Sequence, residues 1–227
     1  MSETPETIRN ATPVPTGQTD WNSLVSNPAK LVHPERIIAC YDGVISRELA
    51  SGLQASGRVQ RQLTLLLMDH FALPELSAPE SLDPADGYLM ACSADEIAAL
   101  IPLAGAVFWA QFLASEIRTN EVSEIKRRIG ETAFQAALAN RDLAGNLPAP
   151  ESLDALEVNL EADGYQCLAS WHAMLPASMG AWARLKQAND RSLTPFSDAK
   201  QCALGAAIMR RLVMANPLAP SAQEEAS

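Results

Sequence analysis

Cys167 and His172 lie five residues apart in QCLASWH. These residue types serve together as nucleophile and base, or as soft metal ligands. On a helix, spacings of three and four residues bring side chains over one another and five does not, so a core cysteine beside a helix-face histidine is the plainer reading. Asp69 and His70 form an acid-histidine pair in sequence, but adjacent residues on a helix point in different directions. His33, ahead of Pro34, reads as a helix-start residue. An enzyme or ligand-binding site near His70, Cys167 and His172 stands as the alternative function, and it requires those side chains to converge in space.

The chain contains no nucleophile elbow, phosphate loop, dinucleotide fingerprint or zinc helix. Its four cysteines, Cys40, Cys92, Cys167 and Cys202, form no C-x-x-C pair, so they are expected to be small buried hydrophobes in a reducing cytoplasm. Neither catalysis nor a metal or cofactor is expected.

Two basic clusters stand out against a formal net charge of −10. The first is Lys126, Arg127 and Arg128. The second is Arg184, Lys186 and Arg191, with Trp182 nearby. One reading is a solvated helix face neutralised by Glu121 and Glu124. The other is a contact for an acidic protein partner, for which arginine and tryptophan are favoured anchors; it makes Lys126, Arg127, Arg128, Trp182, Arg184 and Lys186 the candidate partner contacts. The overall charge argues against nucleic acid or anionic lipid as the main partner. It also argues against a helical DNA-binding regulator, for which no basic recognition helix is evident.

The elements that carry these residues are helical. Of the 227 residues 48% are hydrophobic and only 5% aromatic, and alanine and leucine outweigh the β-branched types, which favours helix over sheet. Residues 1–20 read as a disordered lead with no secretory signal, and 216–227 as a disordered tail. An N-terminal helical part is expected over 21–75 and a main helical part over 76–215, divided by the surface connection ALPELSAPESLDPADG (72–87). Gly43 and Gly52 are expected breaks, 58–71 an amphipathic helix, and Gly130 a bend. NLPAPES from Asn146 is a second link, Pro176 separates two helices, and a last helix spans about 198–214 with Arg210 and Arg211 favoured by its dipole.

IAALIPLAGAVFWAQFLA, residues 97–114, has no charged side chain. As a helix it would reach about 27 Å, close to the about 30 Å of a bilayer core. Its ends lack the cationic asymmetry and aromatic belts that orient a span, and Pro102 would kink or divide it. The amphipathic flanks need an apolar partner, so the stretch is expected to be the buried centre of a compact all-α bundle, about 94–118, started by a Ser93/Glu96 capping box and crossing no membrane.

The order of segments carries a resemblance. LIPLAGAVFWAQFLASEI, with its internal glycine, is followed by VSEIKRRIG, by ETAFQAALANRDL and, after a Pro-rich link, by DGYQCLASWHAMLPASMGAWARLK. Together with the early HPERI (33–37), this order over roughly 31–190 resembles the YscK/SctK-like family, the K component of the cytoplasmic sorting platform of bacterial type III secretion systems. The resemblance implies an all-helical, non-catalytic, cytoplasmic adaptor, peripheral to the inner-membrane apparatus. Its partners would be the pod protein and the cytoplasmic domain of the inner-membrane ring protein. It transfers no binding residues.

Overall fold

Prolines and short polar side chains start many of the helices. In the computed structural model, which describes residues 21–77, 79, 81–116, 118–190 and 193–215, twelve α-helices and two 3-10 turns form, and no strand occurs among the described residues. The expected disordered lead and tail, and Arg191, lie outside the described residues. Helices α1 (Trp21–Ser26), α2 (Pro34–Ala39), α3 (Arg47–Ala55) and α4 (Gln60–Phe71) form the N-terminal part. They are followed by α5 (Pro84–Ala91), α6 (Ala94–Phe108), α7 (Ala110–Ser115), α8 (Thr119–Ile129), α9 (Glu131–Ala139), α10 (Leu153–Met174), α11 (Ala177–Arg184) and α12 (Ala199–Ala215).

The apolar stretch is the centre of the bundle, with α6 packed among α9, α10 and α12. Ser93 and Glu96 close the expected capping box reciprocally, at 3.2 and 2.7 Å. The central helix expected over about 94–118, with a kink or division at Pro102, runs unbroken through Pro102 and divides instead at Trp109 (φ −91°, ψ 11°), seven residues beyond it. Pro102 is exposed, so water can reach the carbonyl it leaves without a helical donor. At Trp109 the neighbours impose the break. Its indole Nε1 donates to Asp163 of α10 at 2.7 Å, and the Gly145 N–H takes the carbonyl of Phe108 at 2.7 Å. No helix among the described residues is long and apolar enough to cross a membrane.

Helices α6 and α10 cross backbone to backbone. A Cβ at Gly105 would stand 1.9 Å from the Leu160 carbonyl oxygen, and one at Gly164 2.3 Å from that of Ile101. Only glycine permits this approach. α10 then carries Cys167, Leu168 and Trp171, all fully buried, against α12 and α6.

The acidic connection is less exposed than its composition predicts. Pro84 starts α5 within it, and Ala85, Asp86 and Gly87 are buried. Asp86 is held there by three donors: the Trp171 indole at 2.9 Å and the Arg210 guanidinium at 2.7 and 3.0 Å. Arg210 and Arg211 therefore answer carboxylates on other elements, Asp86 and Asp142, rather than only the dipole of α12. Gly52 does not break α3; it sits on an open face where a Cβ would meet nothing.

One apolar cluster runs from Leu24 to Val213, so the expected parts 21–75 and 76–215 share a core. The HPERI stretch clasps them. His33 N–H donates to Leu185 O at 2.8 Å, and Arg36 reaches Gln187 O at 2.8 Å and both Asp190 oxygens at 2.7 and 3.2 Å. The guanidinium holds the Asp190 carboxyl below the usual carboxylate range.

Candidate functional site

Among the described residues no hydrogen bond or ring contact joins His33, His70, Cys167 and His172 to one another. His70 is exposed on α4, with its ring 4.6 Å from Phe71. His33 caps α2, its Nδ1 accepting from the Glu35 N–H at 3.2 Å. Cys167 is buried in α10, and burial pushes its thiol well above the ordinary range. His172 is buried as well, and both ring nitrogens lack a hydrogen-bond partner among the described residues. Burial, reinforced by Arg184 and Lys186, pushes its pKa down to about 3, against a smaller opposing effect of Asp190. The charged group acting on Cys167 is Asp163, a different neighbour. Among the described residues no three His, Cys, Asp or Glu side chains gather as a metal site.

The first basic cluster occupies the last turn of α8 and is bound up in ion pairs. Lys126 meets Glu131 at 3.1 Å and lies 5.0 Å from the Phe134 ring centre. Arg127 donates to both Glu124 oxygens at 2.8 and 2.6 Å. Arg128 bonds Glu124 at 2.8 Å and Asp154 of α10, and stands 3.6 Å from Glu157. These donors hold the Glu124 carboxyl down at about 2. Glu124 is thus the neutralising partner expected from the sequence, whereas Glu121 faces Arg118 at 3.9 Å.

The second cluster separates. Arg184 is exposed and approaches Asp190 at 3.7 Å. Trp182 is only 3% exposed, its indole donating to Pro74 O at 2.9 Å, and Lys186 is 2% exposed. The Lys186 ammonium donates to the carbonyls of Leu89, Met90 and Cys92 at the C-terminus of α5, where a helix dipole favours a cation. Burial nevertheless lowers its pKa to about 8. Neither Trp182 nor Lys186 presents a surface to a partner: their expected contact role is replaced by an internal one, because each finds backbone acceptors in the core.

Two surfaces remain open. A groove of about 340 Å³ lies between α6, α8 and α10, with Ala98, Ile101, Pro102, Ile129 and Leu160 as its apolar lining and Arg128, Glu157, Glu161 and Tyr165 as its polar one. Sequence reasoning passed over it, although the signals were present: 98 and 102 on α6, and 157, 161 and 165 on α10, recur at the spacing that lines one helix face. The second surface is the α2–α3 turn. Asp42 (φ 53°) and Gly43 (φ 76°) reverse the chain there and leave Val44 85% exposed beside exposed Tyr41 and Leu49.

Comparisons of the chain with protein-family models, with curated proteins and with solved structures return no match.

Proposed function

We propose that the chain is a non-catalytic adaptor of the cytoplasmic sorting platform of bacterial type III secretion, joining the cytoplasmic domain of the inner-membrane ring protein to the pod protein. The observation that carries the reading is that glycines in the resembling segments each meet a backbone demand. Gly105 and Gly164 allow the α6–α10 crossing, and Gly130 (φ 87°) joins α8 to α9. The resembling order of helices and glycines is thereby tied to one packing arrangement. An adaptor needs two contact surfaces, and the groove and the α2–α3 turn offer two, built by different helices.

Affinity capture of the tagged chain from its native cells, with mass spectrometry of the bound proteins, tests the reading. Recovery of the pod protein or the ring protein is expected; absence of both from secretion-competent cells would contradict it. The competing class, a helical enzyme or ligand-binding protein, has one observation in its favour, the unpartnered ring nitrogens of His172. Stoichiometric metal in the purified chain that disappears in His172→Leu would move the function to that residue.

A further inference from the structure

We infer that the α6–α8–α10 groove binds a segment of a protein partner carrying Lys or Arg within one helical turn of an apolar anchor side chain. The inference stands on the groove and does not need the secretion-platform reading. Its apolar lining, Ala98, Ile101, Pro102, Ile129 and Leu160, provides a seat at the small end of ligand-pocket sizes, suited to a partner's anchor residue. Apart from Arg128, the polar groups around that seat can all accept a hydrogen bond, and most have no donor among the described residues. Pro102 has no N–H, so the carbonyl of Ala98, four residues earlier in α6, has lost its helical donor. Glu161 and the Tyr165 hydroxyl make no hydrogen bond or ion pair among the described residues. Glu157 has only Arg128, at 3.6 Å.

Arg128 is the one cation among the lining residues, and it is already committed to Glu124 and Asp154. The complement of this surface is therefore positive and rich in donors over an apolar base. That is the reverse of the acidic partner that the α8 cluster suggested from sequence. An acid-rimmed groove on a chain of net charge −10 disfavours phosphate groups, whether of lipid or nucleic acid.

The test is fluorescence anisotropy of two labelled amphipathic model peptides, one of leucine and lysine and one of leucine and glutamate, titrated with the full chain at physiological salt. The leucine–lysine peptide is expected to bind about ten-fold tighter or more, electrostatic complementarity setting the preference. Glu157→Lys with Glu161→Lys should abolish that preference. Glu48→Lys with Glu75→Lys, an equal charge change on other exposed helix and loop positions, should retain it. Circular dichroism checks that each variant folds. Three results would overturn the inference: binding of neither peptide, equal loss in both double variants, or concentration-dependent self-association abolished by the groove pair, which would assign the groove to a second copy of the chain.

Discussion

Replacing Asp86 with alanine strands the Trp171 indole and the Arg210 guanidinium at once, because both donate to that buried carboxylate. Removing one member of such a pair costs about 3 kcal/mol, so Asp86→Ala should lower the denaturation midpoint clearly. Asp86→Asn, which keeps an acceptor for Trp171, should lower it less. His172 gives a pH-dependent prediction. The folded chain holds it neutral down to about pH 3, while the unfolded chain takes a proton near the ordinary 6.5. The unfolded state therefore binds more protons in that window, and the contribution of His172 is complete above about pH 6.5 and lost as the pH falls toward 3. His172→Leu should flatten the acid side of the stability–pH curve measured by denaturant titration. At this scale the sequence was partly legible. The Ser93/Glu96 box and the His33 start follow from local spacing alone. The burial of Asp86, Trp182 and Lys186 does not, because their partners lie 85 to 124 residues away from each of them.

Helix α6 shows how an element is positioned by what crosses it. Gly105→Ala would drive a methyl group into the Leu160 carbonyl, so α6 and α10 must separate. The expected loss is about 3 kcal/mol, or roughly 6–12 °C in thermal midpoint for a chain of this size. Calorimetry on the purified variant measures it. Helix α8 gives the contrasting case. Arg127 is 69% exposed at its side chain and engages Glu124 three residues before it, while Arg128 ties α8 to Asp154 of α10. Arg127→Glu, which sets one exposed carboxylate against Glu124, should cost only the small penalty of a like-charge pair on a helix face and leave partner capture unchanged, whereas Arg128→Glu should lower the midpoint further by placing a carboxylate among Glu124, Asp154 and Glu157. Loss of capture in Arg127→Glu would restore the cluster as a contact surface. The helix expected over 58–71 forms as α4 (Gln60–Phe71) and the last one, expected over about 198–214, as α12 (Ala199–Ala215), so both were legible from the local sequence pattern. The division at Trp109 was not, since it is set by the Asp163 carboxylate and the Gly145 N–H from other elements, and a proline in view at 102 drew the expected break toward itself.

Across the whole molecule, one core and the HPERI clasp make the N-terminal helices part of the same body as α5–α12. That arrangement presents an acidic chain with a groove and an apolar turn, formed by different helices, to its surroundings. The all-helical class was legible because alanine and leucine dominate and no alternation suggests strands. The groove was legible only in part: residue spacing marks the α6 and α10 faces that line it, but three helices from separate stretches must meet to form it. The role proposed for this body is that of an adaptor of the type III secretion sorting platform. Its most direct test is light scattering after gel filtration of the purified chain mixed with the purified pod protein from the same organism. The account predicts a complex of defined stoichiometry that neither protein gives alone. Separate elution of the two, with the chain folded by circular dichroism and the pod protein competent to join its other partners, would contradict it.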